Sequence, residues 1–271
     1  MKPKVYLVKK SADFVIPDMR LVDFMVLNFD LVIDPAEADY VLVFGGDGTM
    51  IRHGIRKFWQ ITNYLGRELI FTGMNYGHVG FLLNDPPSIG ILKEIIEEKV
   101  KTHHPRLLEA TLYDKSGEII GKANAVNDFW FERSTKETAK IRVTVEGKVY
   151  RERLVCDGMI VASPIGSTAY NLAAKGPALP LEAELMVLTG ICPSPYSNWG
   201  NAILPPNTVV ILEALETDFA PVRFLMDGDE IHQVAKAVIS LSQQTVTIAF
   251  AESQDFRQRV LRLQIREPIK E

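Results

Sequence analysis

The feature that most constrains this chain is the apolar run Tyr40-Val41-Leu42-Val43-Phe44, which breaks off into Gly45-Gly46-Asp47-Gly48-Thr49. An apolar run without alternation predicts a strand buried on both faces, as in a parallel sheet covered by helices. The glycines that follow let the chain turn sharply and bring backbone N–H groups close to a phosphate. Open α/β sheets bind nucleotides at this carboxyl edge. An aspartate beside a phosphate is repulsive unless it holds a divalent cation or takes a proton from an attacking hydroxyl. The loop therefore points to phosphoryl transfer. Asp47 is the candidate catalytic carboxylate, Gly46 and Gly48 shape the loop, and Gly45 and Thr49 are further phosphate-loop candidates.

Strand-like and helix-like patterns alternate over the first hundred residues. Val5–Val8 reads as strand, Phe24–Leu27 as a helix face, Met50–Trp59 as helix and Leu69–Met74 as strand. Ile91, Leu92, Ile95 and Ile96 predict an amphipathic helix over Ile89–Val100. This βαβ order implies a parallel, Rossmann-like α/β domain over residues 1–103. The pattern changes at His103-His104-Pro105. Residues 104–251 read as mainly β, in a sandwich or layered sheets, with hairpins at Asp114-Lys115-Ser116-Gly117 and Glu146-Gly147-Lys148. Further strands are expected at Val209–Glu213, Val222–Met226 and Thr245–Ala251. Residues 252–271, with Phe256, Val260 and Leu263 at helical spacing, are expected to pack back on the first domain.

A net charge of −4 argues against nucleic acid or an anionic membrane as the main partner. No apolar run approaches a membrane span and no leader segment is expected, so the protein reads as soluble and cytoplasmic. Cys156 and Cys192 lack metal spacing and read as two buried, reduced thiols. The histidines, including His78, His103 and His104, show no zinc spacing, and no side-chain motif holds a metal. Trp59, Trp130 and Trp199 read as core or interface.

Two further segments carry chemistry. Asn75-Tyr76-Gly77-His78-Val79-Gly80-Phe81-Leu82 follows the next strand and reads either as a tight turn or, through Gly77 and Gly80, as a second phosphate loop. The segment from Asp157 to Tyr170, DGMIVASPIGSTAY, is a strand that stops at Pro164, a turn, and a helix start that Ser167 or Thr168 could cap. Tyr170 offers an aromatic face and a hydroxyl suited to adenine or ribose. Arg52, His53 and Arg56 follow the first loop and either reach donor phosphates or face solvent. No Walker motif is present.

With these motifs together, the chain resembles the NAD kinase family from about Tyr40 to Phe250. The residues are GGDGT, NYGHVGFL, Asn127-Asp128 in AVNDFWF, DGMIVASPIGSTAYNLAAKGPALP and TGICP. GGDG alone is shared with lipid kinases, whereas GSTAY paired with an upstream Asn-Asp is more specific. The resemblance implies a two-domain fold that phosphorylates the adenosine-ribose 2′-OH of NAD, with ATP or polyphosphate as donor and Mg²⁺ or another divalent ion near Asp47. It implies that Asn127, Asp128 and Asp157 contact the nucleosides of NAD, that Thr168, Ala169 and Tyr170 form the adenosine pocket, and that the subunits form homodimers or homotetramers.

The chain departs from the family pattern at Ala173, where a serine is common, and at Asn198-Trp199-Gly200-Asn201, where Arg-Pro is common. Asp227-Gly228-Asp229-Glu230 replaces Asp-Gly-Gln, and reads either as a metal-favouring change or as a polar hairpin turn. Two rival readings are a GGDG-type lipid kinase and a non-catalytic NAD(P)-binding sensor.

Overall fold

The structure is a computed structural model that describes residues 2–254 and 256–265. The chain divides into two compact units, one drawn from residues up to His104 and from Val246 onward, the other from Pro105–Thr245.

The first unit is built on a six-stranded sheet in the order Asp30–Leu31, Lys4–Lys9, Tyr40–Gly45, Ile70–Asn75, Thr247–Ala251 and Val100–His103. Tyr40–Gly45 runs parallel to both neighbours, with Tyr40 opposite Ile70 and Gly45 opposite Asn75. Every residue of that strand is buried, the result expected for a strand covered on both faces. Leu42, Phe44 and Met74 pack with Leu21 and Met25 of helix Met19–Asn28 and with Leu92 and Ile95 of helix Ile89–Ile96. Each such side chain contributes about 1.5–3 kcal/mol of burial.

Helix Ile89–Ile96 is shorter than its apolar spacing implied. Ser88 caps its start by accepting the Ile91 N–H at 3.3 Å, and Glu98 at φ 56 turns the chain out of it. Val100 instead opens a strand, antiparallel to Thr247–Ala251. Thr247–Ala251, expected among the strands of the β-rich part, lies in the first unit's sheet, parallel to Ile70–Asn75. It is fully buried, Ala251 packing with Leu92 and Ile95 and its neighbour Phe250, which points to the opposite face, against Phe256. Helix Phe256–Gln264 follows, and its Phe256 ring packs on Phe250 and His103.

The second unit is a sandwich of two six-stranded sheets. One is ordered Lys148–Cys156, Ala139–Val145, Val210–Ala214, Lys236–Thr245, Arg106–Tyr113 and Ile119–Ala125. The other is ordered Ala202–Leu204, Met186–Ile191, Gly158–Ala162, Asp128–Arg133, Val222–Met226 and Asp229–Ile231. Ile141, Val143 and Ile239 of the first meet Phe129, Phe131, Met159 and Phe224 of the second in one core. Successive residues of a strand point to opposite faces. Trp130, Ile160 and Leu225 therefore pack on the far face of the second sheet with Leu179 and Tyr170. Sandwiching on one face and covering on the other explain why the Gly158–Ala162 strand is buried throughout.

Candidate active site

In the first unit, Gly46 hands the chain from the Tyr40–Gly45 strand into a helical stretch that starts at Asp47, passes through a π-turn at Met50–Ile55 and continues as Arg56–Leu65. A π-turn inside a helix commonly marks a functional site. A Cβ at Gly45 would lie 2.4 Å from the Thr49 hydroxyl, so only glycine lets the loop fold this tightly. The exposed Arg52 lies over the loop, its guanidinium 3.2 Å from where a Gly48 Cβ would stand. A Cβ at Gly77 would lie 3.0 Å from the Gly46 Cα, so the two glycine segments do share one edge.

Asp47 is half-buried, and its carboxylate binds that second segment: one oxygen accepts the Phe81 N–H and the other the Leu82 N–H, both at 2.9 Å. Desolvation raises its pKa above the ordinary carboxylate value, against the lowering pull of those two N–H groups and of Arg259. Arg259, on the Phe256–Gln264 helix, donates to the Gly80 carbonyl at 3.0 Å and to the Leu83 carbonyl, bracketing the two N–H donors that hold Asp47. Asn75 accepts the Gly77 N–H at 2.9 Å and fills the space a Gly80 side chain would need.

In the second unit, Asn127 and Asp128 stand at the head of the Asp128–Arg133 strand. Asp128 is 2% exposed, and its Oδ2 and the Oδ1 of Asn127 are buried with no hydrogen-bond partner. Orphaned buried acceptors are costly and point to donors supplied by a ligand. Burial and the neighbouring Asp227 push the Asp128 carboxyl well above the usual range. The turn after the Gly158–Ala162 strand is locked to this pair: the Ser163 N–H donates to the Asn127 carbonyl at 2.8 Å and the Ser163 hydroxyl to the Val126 carbonyl at 2.6 Å.

Tyr170 meets Trp130 edge-on at 5.4 Å and, with Ala173, lines a cavity of about 530 Å³. Gly190, Ile191 and Cys192 of the TGICP segment complete one wall, and Trp199 and Asn201 bring the departing Asn198–Asn201 loop into another. Asp157 is half-buried and ion-paired to Arg133 at 2.7 Å.

Two expectations are corrected. Neither Ser167 nor Thr168 caps the helix, which is the single turn Tyr170–Ala173 without a side-chain cap. Their hydroxyls donate instead to the Pro164 and Ile165 carbonyls, and Ser167 accepts the Leu179 N–H, because the buried turn has its own carbonyls to satisfy. Cys156 is buried, with its thiol pushed up to about 12, but Cys192 is exposed at φ 42 on the cavity wall; both are free.

Two residues escaped the sequence reading. Asp227 belongs to the expected hairpin turn, at φ 51 beside Gly228 at φ 95. The Asp-Gly pair signals that turn; it does not signal that the carboxylate bonds residues about a hundred positions earlier. Arg259 sits in the tail expected to pack on the first domain, and a lone arginine on a helix gives no sign of the loop it holds.

The first unit holds a carboxylate among glycines at the end of a parallel strand; the second holds two buried acceptors without partners and, lined by Tyr170, a cavity. These are the parts of a nucleotide-directed phosphotransferase. The sequence of the ATP-NAD kinase C-terminal domain family matches residues 128–248. The NAD kinase of Brucella suis is 37% identical over 231 residues, covering 85% of this chain and 86% of that protein. That of Rhizobium meliloti is 38% identical over 210 residues and covers 78% of each. Among solved structures, yeast NADH kinase complexed with NADH superposes with a TM-score of 0.76 at 19% identity, covering 96% of this chain and 86% of that one. An Archaeoglobus fulgidus NAD kinase in complex with ATP gives 0.72 at 20%, covering 98% and 100%. The chain belongs to the NAD kinase family.

Proposed function

We propose that this protein transfers the terminal phosphoryl group of ATP or polyphosphate to the 2′-OH of the adenosine ribose of NAD, giving NADP. The observation that carries the reading is Asp47: a desolvated carboxylate of raised basicity, aimed by the Phe81 and Leu82 N–H groups from within a glycine loop. Asp47 takes the 2′-OH proton, the freed oxygen bonds to the terminal phosphorus, and the bond to the bridging oxygen breaks, releasing ADP or a shortened polyphosphate. Such a base contributes roughly 10²–10⁴-fold. The glycine loops at residues 45–49 and 77–80, together with Arg52, would receive the donor phosphates.

Asn127 and Asp128 would accept hydrogen bonds from the nucleoside, which suits their unpaired oxygens. Asp157, Thr168, Ala169, Tyr170 and Ala173 would complete that recognition. Among the described residues no three acidic, histidine or cysteine side chains converge as a metal cage. A divalent ion therefore fits only as one carried by the donor phosphates, with Asp47 as the candidate side-chain ligand, its oxygens having acceptor capacity left. Mg²⁺ so bound would neutralise charge developing on the phosphates. A cytoplasmic homodimer or homotetramer is the proposed working form. No helix among the described residues is long and apolar enough to cross a membrane.

The test is NADP formation from NAD with Mg²⁺ and either donor, on wild type and Asp47→Asn. Turnover by wild type, with a loss of at least about 100-fold in the variant at unchanged NAD binding, is expected. Near-wild-type turnover by Asp47→Asn would remove Asp47 as the base.

A further inference from the structure

We infer that Asp227 is a positioning residue of the NAD site, its carboxylate gathering three successive backbone N–H groups and so fixing how Asn127 and Asp128 face the ligand. The inference rests on the NAD-binding role proposed above. One carboxylate oxygen of Asp227 accepts the Asn127 N–H at 2.7 Å and the Asp128 N–H at 3.3 Å, and the other accepts the Val126 N–H at 3.0 Å. Its own N–H donates to the Asp128 carbonyl at 3.1 Å. Asp227 is 8% exposed and held at φ 51, so the hairpin turn itself aims the carboxylate inward.

Successive N–H groups turned toward one point form an anion-binding concavity, and here the chain supplies the anion. These three N–H groups lie at and just before the start of the Asp128–Arg133 strand, and it is the Asp227 side chain that accepts them. With the backbone of residues 126–128 so pinned, the two side chains in this stretch that keep unpaired oxygens, Asn127 and Asp128, are left with those oxygens free for a ligand. The arrangement also sets two carboxylates close together. One titratable group acts on Asp128, Asp227 from the hairpin, while Asp128 in turn helps to raise the Tyr170 phenol on the short helix. The charge on Asp227 disfavours a second charge on Asp128, so in the free protein Asp128 holds its proton to higher pH. A ligand whose hydroxyls both donate to Asp128 would drive that proton off, which makes binding weaker in acid.

The test compares full-length wild type, Asp227→Asn and Gly228→Ala. Asparagine tolerates positive φ, so the turn survives while the charge and one acceptor oxygen are lost. Asp227→Asn is expected to weaken NAD binding, read by calorimetric titration, about 10- to 100-fold. It should leave the KM for ATP within about twofold and move the acidic midpoint of NAD binding to lower pH. Gly228→Ala strains the turn at φ 95 without touching the carboxylate; it should lower Tm and leave the midpoint in place. NAD binding by Asp227→Asn within about twofold of wild type, an unmoved midpoint, or the same losses in Gly228→Ala would each overturn the inference. If wild type forms no NADP, the proposed reaction fails while the titrations still judge Asp227. If wild type forms NADP and the titrations match, the reaction stands and the positioning role fails.

Discussion

Gly166→Ala concentrates the logic of the proposed nucleoside site in one methyl group. A Cβ at residue 166 would lie 2.0 Å from the Asn127 carbonyl oxygen, 2.4 Å from its carbon and 2.6 Å from the Asn127 Cα, where ordinary contact begins at 3.4 Å. A displacement of about 1.4 Å is needed, and the obstacle is backbone, which has no rotamer to change. Neither side is free to yield. The Gly166 N–H is held by the Ser163 hydroxyl at 3.1 Å, and Ser163 in turn holds residues 126 and 127. On the other flank, the Asp227 carboxylate holds the N–H groups of residues 126–128.

Overpacking of this kind costs about 1–3 kcal/mol, which lowers Tm by roughly 2–4 °C per kcal/mol in a chain of this size. The group that must shift is Asn127, and misplacing a binding group by about 1 Å costs on the order of 100-fold. The assay is initial NADP formation against NAD at saturating donor, with thermal unfolding in parallel. Gly121→Ala is the control: nothing lies within 4 Å of its Cβ position, so its stability should stay within about 0.5 kcal/mol of wild type. The reasoning fails if Gly166→Ala keeps kcat/KM for NAD within about threefold of wild type, or loses NAD and ATP affinity alike.

Asp128→Asn should stabilise the ligand-free protein at neutral pH. Its carboxyl is raised in the folded state, so above the unfolded carboxylate pKa the fold is penalised by about 1.4 kcal/mol per pKa unit. Unfolding measured from pH 4 to 8 should show the gain growing with pH and vanishing in acid; an equal difference at every pH would contradict it. Arg259→Ala removes a cation that lowers the Asp47 pKa. The acidic limb of the pH–rate profile should move to higher pH, and the loss of its charge-assisted bonds to the loop should slow turnover at least about tenfold. An unmoved limb would detach Arg259 from Asp47. Tyr170→Ala should raise the KM for NAD more than that for ATP, since its ring lines the cavity with Ala173; equal rises would remove it from the nucleoside pocket.

Local pattern carried much of this protein. The unbroken apolar run at Tyr40–Phe44 could only be a doubly covered strand, and the glycines after it had to form a close turn around Asp47. The alternating runs and glycine turns after residue 105 announced hairpins, and the motifs singled out Asn127, Asp128 and Tyr170 as candidates. These signals are short in range, because they depend on propensity and periodicity within one element. What the sequence could not reveal is which distant residues meet. Thr247–Ala251 looks like any apolar strand, and only sheet pairing puts it beside Ile70–Asn75 in the first unit. Ser167 looked like a helix cap until the buried turn around it claimed its hydroxyl. The bonds from Asp227 to residues 126–128, and from Arg259 to the loop that holds Asp47, span a hundred residues and more. Those contacts are selected by packing of the whole unit, since a buried carboxylate or guanidinium takes whichever polar backbone the fold leaves unpaired beside it.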